Sequence, residues 1–438
     1  MRGTSVLTER YTQELLFPLE QIQPNKGDTS STFLDNMRLP VHRWFRYSAG
    51  FSAQWVEQAI EAHRNGSETT VLDPFAGSGT TLLSAESAGV YCYGIETHPF
   101  VARIARAKLL YRSNPSSYIT FATTVRKNAA YIRGNLDSYP PLIRKCFTDE
   151  SLKNLDRFRQ SWEKCRNNSP ASELTWLTLV SILRTTSHVG TAPWQYILPN
   201  KKKAGVLEPF RAFDLMAQTM GSDMRITQRL VSGPPASLIQ SDARSCHGLP
   251  DGCVDLVITS PPYANNYDYA DATRLEMSFM GEVKGWGDLQ DAVRRHLVRS
   301  CSQHLPNGSI QLDQIVSAEE LAPIRADITN VCARLSDERH RHGGKKTYHL
   351  MVACYFFDMA KVWASLRRVC KPGSLVCFVI GDSAPYGIYV PVIEWFGRLA
   401  VAAGFHSYEF EKTRDRNTKW KNRKHRVPLC EGRLWVKG

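Results

Sequence analysis

The stretch Val71-Leu72-Asp73-Pro74-Phe75-Ala76-Gly77-Ser78-Gly79-Thr80-Thr81 has the grammar of a strand that runs into a glycine turn and out into a helix. The apolar run TTVLD, ending at Asp73, is short and β-branched, as a buried strand should be. Gly77 and Gly79 lack the Cβ atoms that would hold a ligand away from the backbone at the carboxyl edge of a sheet. A second short apolar strand, YCYGI, follows and ends at Glu96, nineteen residues beyond Gly77. A carboxylate at that place can accept both hydroxyls of a ribose, so turn and acid together point to a nucleoside cofactor. A phosphate loop fits poorly, because no Gly-Lys-Ser/Thr follows the turn. A dinucleotide site is weakened by the absence of the third glycine.

The same alternation continues outward. Apolar spacing predicts a helix over QWVEQAIEAH before the first strand, one from about Thr80 to Ser87, and another after Pro99. ASLIQSD (236–242) and VDLVITS (254–260) read as two further strands. The C-terminal part offers the helix YFFDMAKVWASLRRV, a turn at Lys371-Pro372-Gly373, the strand SLVCFVIGDS and a helix after Pro391. Two strand-like pieces near Ser407–Phe410 and Gly432–Val436 end it. Strand–helix alternation predicts an α/β fold with a doubly wound, mostly parallel sheet. Residues 111–235 and 264–345 lack it and read as polar, helix-leaning or irregular insertions that carry recognition.

Composition narrows the partners. The 438 residues are 42% hydrophobic and 22% charged, an ordinary globular balance. Lysine and arginine total 55 against 42 acids, a formal charge of +13, which favours a polyanion such as nucleic acid. No apolar stretch approaches the ~20 residues that span a bilayer. No apolar leader is visible in the first twenty residues, so a cytoplasmic protein is expected, with no membrane partner. The 11 cysteines show no C-x-x-C pair and no zinc spacing, and read as reduced, buried thiols with no metal site.

Thr259-Ser260-Pro261-Pro262-Tyr263 closes the strand VDLVI. Two prolines cannot donate to a sheet ladder, so they form a stiff corner with outward carbonyl acceptors. Ser260 adds a hydroxyl acceptor, and Tyr263 a flat face on which a planar base can stack.

With these two motifs in this order, the chain resembles the S-adenosylmethionine-dependent amino-methyltransferases that act on DNA. The resemblance implies a Rossmann-like methyltransferase sheet. It assigns cofactor binding to Asp73, Pro74, Phe75, Ala76, Gly77, Ser78 and Gly79, with Glu96 on the ribose and Asp242 on the adenine amino group. Phe51 and Ser52, in RWFRYSAGFSAQW, match the segment that closes over the methionine end. Ser260, Pro261, Pro262 and Tyr263 become the catalytic corner that holds a flipped base. A serine first in the tetrad is typical of the cytosine-N4 enzymes of restriction-modification systems, which leave N4-methylcytosine. Asp or Asn there is typical of adenine-N6 enzymes. Cytosine-C5 chemistry would need a Pro-Cys pair, which the chain lacks. The division is then 40–110, cofactor-binding half; 111–235, insertion; 236–263, core strands with the proline corner; 264–345, insertion; and 346–438, remaining core. Either insertion could read DNA.

The run 412–426 carries eight basic residues and one acid, and is expected on a hairpin loop gripping phosphates. Its cations are Lys412, Arg414, Arg416, Lys419, Lys421, Arg423, Lys424 and Arg426. The implied partners are double-stranded DNA and a cognate restriction endonuclease. Alternatives are an adenine-N6 DNA enzyme, an RNA guanine-N2 methyltransferase and a catalytically silent DNA-binding relative.

Overall fold

A computed structural model describes residues 33–47, 51–66, 68–192, 195–305, 310–343, 346–416 and 427–438. Nine strands are described, β1 Thr70–Asp73, β2 Tyr91–Ile95, β3 Val189–Thr191, β4 Ile197–Lys202, β5 Ser237–Ile239, β6 Val254–Thr259, β7 Cys370–Gly381, β8 Ser407–Arg416 and β9 Leu429–Lys437. Seven of them form one sheet in the order β5-β2-β1-β6-β7-β9-β8. The first five run parallel, and β9 lies antiparallel between β7 and β8. The chain winds outward from β1 to β2 and β5, then crosses back to place β6 on the other side of β1. That reversal leaves a crevice at the carboxyl ends of β1 and β6, where open α/β sheets receive ligands. The glycine turn and the proline corner leave the sheet at those two ends, from paired strands (Val71↔Leu256, Leu72↔Val257).

Side-chain alternation sorts the sheet onto two cores. Val71, Leu256, Ile258 and Cys377 pack with helices α1 (Ala53–His63) and α2 (Thr80–Ser87). Leu72, Val257, Val376 and Phe378 face the opposite way. There Trp363 stacks on Phe378 at 4.5 Å between ring centroids.

Helix α3 (Pro99–Leu109) leads into the first insertion, which holds α4 (Pro115–Ala129), α5 (Pro141–Cys146), α6 (Asp149–Cys165), α7 (Pro170–Thr186) and α8 (Pro209–Leu230). The second contains α9 (Tyr269–Ala272), α10 (Arg274–Met280), α11 (Leu289–Ala292), α12 (Leu312–Val316) and α13 (Arg325–Arg341). Helices α14 (Tyr348–Val369) and α15 (Val392–Ala402) return to the sheet, and Trp363 belongs to α14.

Three expectations need correction. Residues 111–235 are not a polar appendage: Leu152, Leu155, Phe158 and Trp162 of α6 recur every three or four positions and are buried. They join Phe100 and Ile104 of α3 in a single core. The region also contains an antiparallel hairpin, β3 with β4, too short to show an alternation. Lys371-Pro372-Gly373, read as a turn, lies inside β7 as a bulge. The register there jumps from Val254↔Cys370 to Leu256↔Leu375, and Gly373 supplies φ +76°. Finally, β8 extends well past Phe410 to Arg416; its outward charges suit a sheet edge.

Candidate active site

Each residue of the glycine turn has a distinct local task. The Asp73 carboxylate is buried and accepts from the Phe75 amide (3.0 Å), the Thr81 hydroxyl (2.6 Å) and the Thr259 hydroxyl (2.6 Å). It therefore ties β1, α2 and the end of β6 together. Burial pushes its pKa up to about 6, against those three donors. Gly79 is the N-cap of α2 at φ +90°. Gly77 sits at φ +53°, and a Cβ there would lie 3.3 Å from Cε1 of Tyr47.

Glu96 lies directly beside this turn. The Gly77 amide donates to its Oε2 at 2.8 Å and the His98 amide to its Oε1 at 2.7 Å. Burial raises the pKa of the carboxyl to about 7, outweighing the two amides. Each oxygen keeps a lone pair for another donor.

The proline corner is braced from β7 and α14. The hydroxyls of Ser260 and Tyr263 both donate to the Val379 carbonyl, at 3.2 and 3.3 Å. The Tyr355 hydroxyl donates to the Pro262 carbonyl at 2.8 Å, and the Ser383 hydroxyl to that of Ala264.

Between turn and corner lies a cavity of about 800 Å³, open solvent at its mouth included. Pro74, Phe75, Ala76, Gly77 and Ser78 form one wall; Ser260 and Pro262 form another. Phe51, Glu96 and Asp242 also line it. Five expected residues stand behind the lining instead: Ser52, Asp73, Gly79, Pro261 and Tyr263. Ser52 caps α1, accepting from the Trp55 amide at 3.3 Å. Asp242 reaches the cavity, but its carboxylate is engaged by Arg244. Oδ1 accepts from the Arg244 amide (2.8 Å) and Nε (3.0 Å), and Oδ2 from Nη2 (2.6 Å). An incoming amino group would have to share or displace one of these donors.

Sequence reading missed several wall residues. Tyr47, His98, Tyr269, His296, Leu297 and Val298 all face the cavity. Tyr47 was visible in the aromatic segment before the turn, and His98 two places beyond Glu96. Nothing local signals His296-Leu297-Val298. They reach the rim because buried Arg294 is clamped by Asp268 at 2.7 Å, and Asp268 in turn caps α9.

The basic run also differs from expectation. Lys419, Lys421, Arg423, Lys424 and Arg426 lie outside the described residues. Lys412, Arg414 and Arg416 belong to strand β8 itself and are ion-paired, Lys412 with Asp415 (2.7 Å) and both arginines with Glu431 (2.5 and 3.5 Å). No helix among the described residues is long and apolar enough to cross a membrane.

Known proteins share sequence with this chain. The DNA methylase family N6_N4_Mtase matches residues 8–107, which include the glycine turn and Glu96. The match supports an S-adenosylmethionine-dependent DNA methyltransferase of the N4 or N6 kind. The chain's similarity to individual relatives is long but distant. The Type II methyltransferase M.BsoBI of Geobacillus stearothermophilus is 27% identical over 424 residues, covering 84% of this chain and 79% of its own. M.AvaI of Nostoc sp. is 26% identical over 409 residues, covering 86% and 81%. M.MjaII of Methanocaldococcus jannaschii is 39% identical over 124 residues, 28% of this chain and 21% of its own. A solved rRNA methyltransferase, aviRa from Streptomyces viridochromogenes, aligns over 98% of this chain and 94% of its own at 11% identity, with a TM-score of 0.26.

Proposed function

We propose that this protein methylates the N4 amino group of a cytosine flipped out of double-stranded DNA. One observation carries the reading: the glycine turn and the Ser260-Pro262 corner wall the same cavity. A donor on one side can therefore meet an acceptor on the other.

The cavity suits the cofactor on its own geometry. A side chain at Gly77 would press on Tyr47, leaving no clearance where the backbone must approach a nucleoside. Glu96, held by two amides, presents free lone pairs for the two ribose hydroxyls. Asp242 and Phe51 both line the cavity; the first would take the adenine amino group and the second would cover the methionine end. Bound here, S-adenosylmethionine supplies an electrophilic methyl group on its sulfonium.

The remaining chemistry belongs to the corner. An exocyclic amine is a weak nucleophile while its lone pair is delocalised into the ring. Ser260 donates its own proton to Val379, so its oxygen is left to accept an N–H from the base. The Pro261 carbonyl is the second acceptor. Together they draw the nitrogen towards tetrahedral geometry and localise its lone pair. Stiff prolines and the Tyr355 brace hold these acceptors still, which is where orientation lowers the barrier. A base cannot reach this depth within a duplex; flipped out, it would stack on Tyr263. Serine at the first tetrad position supports cytosine over adenine, as in the family pattern. Lys412, Arg414 and the basic residues of 419–426 would neutralise phosphates, and a restriction endonuclease of the same recognition sequence would be the biological partner.

Incubation of the purified protein with labelled S-adenosylmethionine and either duplex DNA or RNA, followed by nucleoside analysis, tests the reading. N4-methylcytosine is the expected product. N6-methyladenine would overturn the base assignment, and an unlabelled duplex beside labelled RNA would overturn the substrate.

A further inference from the structure

We infer that Arg416 positions the target base through Tyr263 and is not one of the phosphate contacts. The inference rests on the proposed base-stacking role of Tyr263. By sequence Arg416 belongs to the basic run, where a solvent-facing cation would be expected. The structure gives it a seat of its own. Its guanidinium carbon lies 5.2 Å from the centroid of the Tyr263 ring. Nη1 donates to the Asp382 carbonyl at 3.1 Å, and Nε lies 3.5 Å from Glu431 Oε2.

Two further observations show that the seat is built in. Glu431 is only 7% exposed, so its charge is directed inwards to Arg416 and Arg414. Next to Asp382, Gly381 has no side chain; a Cβ there would lie 2.8 Å from the Cys430 carbonyl of the paired strand, and also 3.0 Å from Arg416 Nη1 and 3.2 Å from its Cδ. The arginine fits because that space is vacant. Its side chain is 19% exposed, against 54% for Lys412 and 48% for Arg414 on the same strand. A group buried to this extent and held by carboxylate, carbonyl and aromatic ring is poorly placed to follow a DNA backbone.

Its position defines what it does. The Tyr263 hydroxyl donates to the Val379 carbonyl, which fixes the rim of the ring. Arg416 covers one face, by a cation–π contact. Rim and one face are then held, which fixes the tilt of the ring, and on the proposed stacking role the flipped base would take the other face. Because the arginine touches the ring and not the reacting atoms, it is a positioning residue.

The test uses the full-length protein and a long natural duplex that the wild type methylates. Arg416→Ala and Arg416→Met, the second keeping the packed stem, are compared with Arg416→Lys. Single-turnover methylation at saturating DNA should fall by about 10- to 100-fold, the scale of a displaced reacting group. Affinity for S-adenosylmethionine, affinity for DNA and the salt slope of DNA binding should stay within about 3-fold of wild type, since no phosphate contact is lost. Arg416→Lys should recover only part of the rate, lacking the fork that spans Glu431 and Asp382. In the Tyr263→Ala background, Arg416→Met should add no further loss, because both act through one ring. A raised DNA Kd with a shallower salt slope and an unchanged saturating rate would overturn the inference, as would additive losses in the double variant. If the wild type itself methylates no DNA base, the proposed function fails instead, a separate outcome.

Discussion

Glu96 illustrates how one residue's surroundings set a measurable behaviour. Its pKa stands at about 7 because burial penalises the charge more than two amide donors favour it. The sign follows directly. Below pH 7 the free protein holds a proton on this carboxyl, and that proton must leave before both oxygens can accept ribose hydroxyls. Affinity for S-adenosylmethionine should therefore weaken as pH falls, by up to about tenfold per unit below 7, and level off above it. Titration calorimetry from pH 5.5 to 8.5 checks this. Glu96→Gln should bind more weakly and lose the slope; a slope that persists in that variant would assign the proton elsewhere. Asp73, raised to about 6, gives a pH dependence of the opposite sign, in stability. Its folded form holds its proton up to a higher pH than the unfolded chain does, so stability declines as pH climbs towards 6. At the corner, Ser260→Ala should lower the methylation rate by roughly 10- to 1000-fold, as loss of an oriented polar contact does. Tyr263→Ala should nearly abolish the rate. Cofactor affinity should survive both, as equilibrium binding will show.

The elements that shape the cavity are held by polar pins as much as by apolar packing. Asp223 of α8 is fully buried and accepts from the Val41 amide, the Arg43 guanidinium and the Trp44 indole. Through these contacts the first insertion fixes segment 41–47, at whose end Tyr47 lies over Gly77. Lys108 of α3 grips the same segment by the carbonyls of His42 and Phe45. Removing one partner of such a buried charge leaves the others uncompensated, at about 3–5 kcal/mol. Asp223→Ala should lower stability by that amount in urea unfolding and also weaken cofactor binding, although residue 223 does not line the cavity. Trp363→Ala should cost a similar 3–5 kcal/mol, here by opening a cavity against Phe378. It should leave cofactor affinity in the surviving folded fraction unchanged. The contrast separates a pin that reaches the site from packing that only supports the sheet.

Across the molecule, sheet and first insertion share apolar surface. Phe100, Val101 and Ile104 of α3 lie in the same core as α4, α6, α7 and α8. Deleting 111–235 should therefore expose that face and yield insoluble protein, as a solubility assay against the full chain will show. The sequence alone determined the strand–turn–helix at Asp73–Thr81, the acid at the end of β2, the proline corner after β6 and the basic balance, because each is written in neighbouring residues. The site's inner lining was legible to the same extent: Phe75, Gly77, Glu96, Ser260 and Pro262 carry local signals. His296, Leu297 and Val298 do not, since a buried Arg294–Asp268 pair brings them to the rim from another part of the chain. The core of the first insertion was hidden for a related reason: burial depends on which helix faces pack together, and no short window records that. Arg416 shows the limit most clearly. In sequence it is one cation of a run; only the strand register that sets it opposite Leu429, within reach of Glu431 and Gly381, separates it from its neighbours. Local chemistry is set by adjacent residues, whereas the partner of a charge is chosen by the fold.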